Sequence, residues 1–464
     1  KKKKRKTSYL PPMHRTVTTS ILRSIPKLEA RLGRIVAPFS TSAAAGWNAA
    51  WKRVEAASGD NCEDYRALPK VELHRHLEGA VRLKTILDEA RRHHIDHLPG
   101  VSLKDSKQVF DYFDVRQSGQ ITSEDFVKAC KEMGMMHVQN AQAKNLISAE
   151  TGGSVDFLKF DEFERLLEHL MLAELRPYVL TDEPFPDLKS LLDRFDRTQE
   201  VFKDHQTFRR IAYEAVEDAW NEGIRLLELR YAPSFCSQGH NHSFQMVLKA
   251  IQEGVAEAKS KYDIEVGLIC IAVGVMGPEE MEKTVDFAIE NKDAFVGFDL
   301  AGAETELTQW EDHFARVQAA GIPITCHASE DKTTGHPLNA VTAVERLGAT
   351  RIGHGVQIIQ DSRAMEAVKS HGVLLEVSVT SNYYCGCFPE GSHPARELWD
   401  FGIPMSINTD DPGIMALDLQ GEYKIWHKNL GFSGNEMKET NVHALNHSFL
   451  PEAVKTRVKE AYFA

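Results

Sequence analysis

An α/β fold, a parallel (β/α)8 barrel of the TIM type carrying an inserted all-α module, is what the sequence predicts. Three observations lead there. Eight short runs rich in β-branched and aliphatic residues recur from Leu68 onward, and most of the intervals between them hold a helical periodicity. The runs are largely apolar along their whole length, as suits barrel strands buried on both faces. The first run is not followed by G-x-G-x-x-G, the signal that would favour a doubly wound dinucleotide fold.

In chain order the predicted strands are KVELHRH (70–76), IRLLELRYAP (224–233), EVGLICIAV (265–273), FVGFDLAG (295–302), IPITCHAS (322–329), RIGHGV (351–356), VLLEVSV (373–379) and IPMSIN (403–408). Segments such as PEEMEKTVDFAIENKD and HPLNAVTAVERLG supply the helices between them. The predicted barrel occupies residues 61–104 and 171–464. One interval is far too long, since well over a hundred residues separate the first two strands where one helix and its loops would suffice.

That interval contains VFDYFDVRQSGQITSEDFVKAC, which resembles an EF-hand with Asp114 at position 1, Ser118 at 5, Gly119 at 6, Ile121 at 8 and Asp125 at 12. A second copy, LISAETGGSVDFLKFDEF, is read with Ser148 at 1, Glu150 at 3, Gly153 at 6, Val155 at 8 and Phe157 at 10. Residues 105–170 are therefore expected to be a paired EF-hand-like insertion. Calcium is not expected in the Asp114–Asp125 loop, where Arg116 occupies a ligand position and Asp125 is shorter than the usual bidentate Glu. In the second loop this register puts Lys159 at position 12. A structural role, or contact with a protein partner, is the expectation for the insertion.

Residues 1–60 read as a basic extension. KKKKRK is followed by a segment in which Ile21, Leu22, Ile25, Leu28, Leu32 and Ile35 recur at helical spacing between Arg23, Lys27, Arg31 and Arg34, with Glu29 as its single acid. From Met13 onward this is the pattern of an organelle transit peptide, and the alternative is a disordered basic tail. Localisation is expected to be cytoplasmic by default, and mitochondrial if the Met13 segment is such a peptide. The bulk composition, 42% hydrophobic and 26% charged, is that of an ordinary globular protein. No apolar run approaches the roughly 18 residues of a membrane span. A net charge of -12 disfavours nucleic-acid binding. Seven scattered cysteines do not form a disulfide framework, and the Cys385-x-Cys387 pair has no second pair nearby to complete a zinc site.

The chemistry is expected where a barrel keeps it, at the C-terminal ends of the strands. Those ends carry His74 and His76, Gly302, His327 with Glu330, His354, and Asp410 with Asp411. At i and i+2 on a strand, His74 and His76 point the same way. A buried group of neutral imidazoles is stabilised by a cation and an anionic ligand, and Asp410 can be that ligand. Three His and one Asp with a position left for water describe a catalytic zinc site. The N, N, N, O set suits Zn2+ better than Mg2+ or Ca2+, with Fe2+, Co2+ and Mn2+ still open. In INTDDPG two carboxylates stand side by side. On a strand Asp410 and Asp411 would face opposite ways, one to the metal and one to substrate.

VELHRHLEG, ELRYAPSF, GFDLAGAE, CHASE, RIGHG, TSN and INTDDPG, in this order, resemble the adenosine deaminase family, in particular its bacterial-type members. The resemblance runs from about Leu68 to the C-terminus, outside the insertion. It implies His74, His76, His327 and Asp410 as zinc ligands, Glu330 as proton shuttle, and His354 as the residue orienting the attacking water. It also implies Asp411 as contact to both the attacking oxygen and a ring nitrogen, and Gly302 as a backbone donor to the purine. His76 lines the substrate side, and Glu78 stands where a sugar-contacting acid, often Asp, is found. Ser329 stands where many members have Gly. Attack at C6 of an aminopurine needs N1 protonated, which a protonated Glu330 can do if burial raises its pKa. The expected reaction is hydrolytic deamination of adenosine and 2'-deoxyadenosine to inosine and ammonia, a purine salvage step on a small nucleoside. Two alternatives share the barrel, adenine deaminase and N6-methyl-AMP deaminase. One belongs to another class, a calcium- or partner-responsive binding protein.

Overall fold

The computed structural model describes residues 46–464 except 57–61, 154, 155, 182, 187, 241 and 305. The basic segment through Met13 and its transit-peptide reading lie outside the described residues. The chain divides into two compact units, one containing His94–Pro177 and the other Ser40–His93 with Tyr178–Ala464. The first is wider at both ends than the 105–170 expected from sequence.

In the larger unit the barrel strands are β1 (Lys70–His76), β2 (Ile224–Tyr231), β3 (Glu265–Val273), β4 (Gly297–Ala301), β5 (Thr325–Ala328), β6 (Arg351–His354), β7 (Leu374–Val377) and β8 (Met405–Ile407). They pair in parallel as β1–β2–β3–β4 and as β5–β6–β7–β8. Isolated parallel bridges close the ring, Phe298 of β4 with Ile324 just before β5, and Arg75 of β1 with Asp410 just after β8. The predicted (β/α)8 barrel is the fold observed. Several strands are shorter at their C-terminal ends than the runs in sequence. The physical reason is local, because Ser329, His354 and Asp410 adopt φ of 55°, 60° and 69° and turn the chain out of the sheet.

Helices of the barrel begin at caps the sequence supplies. Asp204 accepts from Thr207 N to start His205–Asn221, and Ser243 does the same for Phe244–Lys259 through Met246 N. A Ser433–Glu436 capping box opens Gly434–His447. One correction concerns the presumed extension. Trp47–Ala56 is a helix whose Trp47, Ala50, Trp51 and Val54 are buried, with Trp47 against Tyr423 and Phe463. Its i, i+3, i+4, i+7 apolar stripe marks it as part of the barrel unit, hidden in sequence by the Arg- and Ser-rich stretch before it. Six described cysteines are free and buried, and Cys385 and Cys387 pack with Phe185, Leu191, Ile414 and Met415 in an apolar cluster. Among the described residues no helix is long and apolar enough to cross a membrane.

Beneath the barrel, Lys70 is fully buried and donates to the carbonyls of Tyr65, Leu68 and Glu222 at 2.7, 2.9 and 2.7 Å. Desolvation lowers its pKa to about 7. The folded chain releases this proton near pH 7 and the unfolded chain only near 10.5, so stability rises with pH across that window. Lys70→Met is expected to lose about 1–3 kcal/mol by orphaning the carbonyls, and to lose the rise as well. Calorimetric Tm differences from wild type should then grow from pH 7 to pH 10. Parallel Tm curves for the two proteins would refute this.

In the inserted unit, helices Ser106–Phe113, Ser123–Glu132, Asn140–Thr151 and Phe160–Val179 flank two loops, which are joined by an antiparallel pair, Gln120–Thr122 with Phe157–Lys159. Buried Ile121 lies opposite buried Leu158, with Phe110, Phe126 and Phe163 around them. This register corrects the second loop. Leu158, not Val155, stands opposite Ile121, so position 8 moves three residues on and position 12 falls on Glu162 rather than Lys159. Val155 lies outside the described residues. In the first loop Asp114 accepts from Ser118 N and Gly119 N, and Asp125 is engaged by Thr122 and Lys128. Both carboxylates are thus occupied within the chain.

Candidate metal and active site

The site is assembled at the C-terminal rim of the barrel. His74 and His76 project from β1, His327 from β5 and His354 from the end of β6, while Asp410 follows β8. His76 Nε2 lies 3.3 Å from His74 Nε2 and 3.3 Å from His327 Nε2. Asp410 Oδ1 lies 3.1 Å from His74 Nε2 and 3.2 Å from His76 Nε2. Ligands held tetrahedrally at the usual zinc–nitrogen distance would be about 3.3 Å apart.

The far sides of these rings explain their orientation. His74 Nδ1 donates to Glu376 Oε2 at 2.7 Å, and His327 Nδ1 donates to Asp299 at 3.1 Å. Both Nε2 atoms therefore present lone pairs, and a carboxylate oxygen faces them. His76 can bring at most one proton to these acceptors, so the cluster needs a cation. The donor set fits zinc. Arg230 bridges the two orienting carboxylates, donating to Asp299 at 2.8 Å and to Glu376 at 2.6 Å. Arg351 reaches Glu376 at 2.7 Å, and Ser381 Oγ donates to Asp410 Oδ2 at 2.6 Å. Neighbouring cations hold the Glu376 carboxyl far below the usual range despite its burial.

His74, His327, His354 and Asp410 also form a buried group with ligand atoms within 4.8 Å of one another. His354 is the outlying member. Its Nε2 lies 3.8 Å from Asp410 Oδ2 and 3.6 Å from Glu330 Oε1. It stands beside the group formed by His74, His76, His327 and Asp410. Gly353 makes the approach possible, since a Cβ there would lie 3.0 Å from His74 Cε1.

Glu330 is buried, and desolvation with the nearby charge of Asp410 raises its pKa well above the usual carboxyl value. Its main chain is gripped by Glu304, whose Oε1 accepts from Glu330 N at 2.7 Å and whose Oε2 accepts from Ser329 N at 2.8 Å and Asn339 Nδ2 at 2.7 Å. Ser329, in left-handed backbone conformation, donates to His336 O at 2.9 Å and accepts from Ala340 N at 2.9 Å. The hydroxyl thus ties the loop behind Glu330 to the start of helix Leu338–Leu347.

Asp411 is buried beside Asp410, but a turn separates them and not the pleat of a strand. β8 ends at Ile407 and Asp410 has φ 69°. Asp411 Oδ1 and Glu78 Oε2 are buried without a hydrogen-bond partner within the chain. Glu78 Oε1 accepts from Ala232 N at 2.7 Å, and burial pushes the carboxyl up to about 7. Gly302, with φ 91°, lines a small cavity together with Gly274, Leu300, Glu304, Leu307 and His327.

Gly79 is required by contact, because a Cβ there would sit 1.8 Å from Asp411 Oδ1. Gly79→Ala is expected to keep its metal and lose about 100-fold in kcat/KM through displacement of Asp411. Steady-state kinetics within threefold of wild type would show that the contact is harmless.

Every predicted site residue thus lies around one rim. Glu376, Asp299, Ser381 and Glu304 were missed. The available signal was an acid inside an otherwise apolar run, as in VLLEVSV and FVGFDLAG.

Comparison with known proteins places this site in a family. Residues 166–462 match the family described as Adenosine deaminase. An adenosine deaminase from Plasmodium gallinaceum is 34% identical over 310 residues, covering 66% of this chain and 86% of that protein. Among solved structures, an adenine deaminase from Arthrobacter aurescens superposes with TM-score 0.62 at 19% identity, covering 85% of this chain and 98% of that one. An amidohydrolase from Burkholderia ambifaria with bound Zn gives TM-score 0.62 at 20% identity, covering 87% and 92%. The family match contains His327, Glu330, His354, Asp410 and Asp411, and β1, paired into the same ring, adds His74, His76 and Glu78 to them. On the sequence match and the closed set of donors together, the chain belongs to the adenosine deaminase family.

Proposed function

We propose that the protein is a zinc-dependent hydrolase that converts adenosine and 2'-deoxyadenosine to inosine or deoxyinosine and ammonia. The observation carrying this is the convergence of three imidazole nitrogens and Asp410 Oδ1 at 3.1–3.3 Å, with Glu330, His354 and Asp411 beside them. His74, His76, His327 and Asp410 would hold the ion. Zinc bound there supplies Lewis acidity that brings a water within reach of ionisation near neutral pH.

The remaining roles fall to the chain. Burial and the neighbouring Asp410 raise the Glu330 pKa and favour its protonated form, from which a proton passes to the ring nitrogen N1 as water adds to C6. The proton the water loses on adding returns to Glu330, which passes it to the exocyclic amine; the C6–N6 bond breaks, ammonia leaves, and the proton of the C6 hydroxyl restores Glu330. His354 and Asp411 hold the attacking oxygen on one face of the ring. Gly302 offers its backbone N–H to the purine, and the free oxygen of Glu78 meets the sugar. For the inserted unit the proposed role is contact with a protein partner, supported by exposed Tyr112, Val115 and Met136. It would be refuted if replacing all three by Ser left co-purifying proteins unchanged.

The test of the activity is ammonia release by the zinc-loaded protein from adenosine, deoxyadenosine, adenine, AMP and N6-methyl-AMP. The two nucleosides should be turned over with the highest kcat/KM. Preference for the free base or a monophosphate would overturn the substrate assignment, and no release from any of them would overturn the activity.

A further inference from the structure

A neutral imidazole carries one proton, and its position decides whether His354 can donate towards the site or only accept. The structure settles this from outside the site, starting at a group with no ambiguity. Ala395 N, at the start of helix Ala395–Phe401, is a backbone amide and can only donate; it lies 3.2 Å from His393 Nδ1. That nitrogen must therefore be an acceptor, and a doubly protonated His393 would set two N–H groups face to face. The proton of His393 is then on Nε2, 3.1 Å from Asn382, so the Asn382 atom it meets is the carbonyl Oδ1.

With its oxygen assigned, the Asn382 amide has only Nδ2 to turn towards His354, and Nδ2 lies 3.0 Å from His354 Nδ1. His354 accepts there, which leaves its proton on Nε2, the nitrogen 3.6 Å from Glu330 and 3.8 Å from Asp410. Rotating the amide by 180° would reverse both histidines and place His393 Nδ1–H against Ala395 N–H. Packing supports the same arrangement. Asn382 is fully buried in helix Val379–Tyr384, and the His393 ring lies edge-on to Phe388 at 5.6 Å.

We propose that Asn382 and His393 are positioning residues, a directional hydrogen-bond chain that keeps His354 in the Nε2–H tautomer so that its proton points at the attacking oxygen. Neither touches the reacting atoms. The inference rests on the deaminase reading for its kinetic consequence but not for the tautomer itself, and the two can fail separately.

Asn382→Asp is the decisive variant, because a carboxylate can only accept and would draw the His354 proton to Nδ1. In the zinc-loaded protein, kcat for adenosine is expected to fall about 100-fold or more, with KM within about threefold and metal content unchanged, as for other catalytic histidines set in the wrong tautomer. The 15N spectrum of histidine-labelled protein should show the His354 proton on Nε2 in wild type and on Nδ1 in the variant. His393→Phe, further from the site, covers the case in which Asn382→Asp does not fold. It frees the amide to rotate and is expected to mix the two tautomers, lowering kcat several-fold, with His393→Gln restoring a donor and most of the rate. A His354 proton still on Nε2 in Asn382→Asp, or no Nδ1–H component in His393→Phe, would overturn the proposal, even if the protein proves inactive on adenosine. So would wild-type kcat in a folded, zinc-loaded variant.

Discussion

Glu330→Gln is expected to bind zinc as wild type does and to lose about 10³-fold or more in kcat. The substitution changes one atom, and the Glu330 side chain is not part of the cage of His74, His76, His327 and Asp410. Its backbone stays held by Glu304, so the amide should occupy the same place. What disappears is a carboxyl whose pKa is raised by burial and that can transfer two protons in turn, one to the ring and one to the leaving amine. Steady-state ammonia release, together with metal analysis of the same preparation, reads both quantities. A variant that keeps its zinc and turns over within tenfold of wild type would remove Glu330 from the reaction.

His74→Ala should behave differently, losing metal and activity together. His74 supplies a donor atom at 3.1 Å from Asp410 Oδ1, and its other nitrogen is tied to Glu376, which also binds Arg230 and Arg351. Removing the ring deletes one of four donors and leaves a negative oxygen of Glu376 facing a void. Zinc content after dialysis should fall close to zero and turnover should vanish. The stabilisation that zinc confers on the wild type, measured as the Tm change on adding the ion, should be absent. Far-UV circular dichroism should be unaltered, because β1 keeps its pairing to β2. One equivalent of tightly held zinc in the variant would show that the cage has been assigned to the wrong residues. A milder loss, about 10–100-fold in zinc affinity, is the corresponding expectation for losing an orienting carboxylate such as Glu376.

The contrast between these variants bears on why the site is so heavily braced. Glu376 and Asp299 are fully buried, and each serves an imidazole on one side and Arg230 on the other. Buried charges of this kind are tolerated only when fully paired. The donors are thus mounted on a buried network of ion pairs formed by Arg230, Arg351, Asp299 and Glu376.

Much of this was legible in the residues alone, for identifiable reasons. His74 and His76 share a direction because strand side chains alternate with period two. His327, His354 and Asp410 were found because a barrel collects the ends of its strands at one rim. Glu376 and Asp299 were not found, because an acid inside an apolar run shows only that something pairs with it. Its partner can be far along the chain, as His74 and Glu376 are, 302 positions apart. The helix Trp47–Ala56 was assigned to the wrong segment because composition, averaged over a basic stretch, hid four apolar positions. The second loop of the inserted unit was misread by three residues for a related reason. The reading was anchored on Gly153 as position 6, whereas the pairing of Ile121 with Leu158 puts Asp156 there.

By itself, then, the order of residues determined the chemical inventory, namely which donors stand at strand ends and which acids stand beside them. These follow from periodicity and residue type, both of which are local. The tertiary structure alone decided that β1 pairs with β2, that Asp410 and Asp411 part at a turn, and which carboxylates orient His74 and His327. Those outcomes depend on hydrogen bonds between residues remote in sequence, and no local pattern encodes the distance at which two such groups meet.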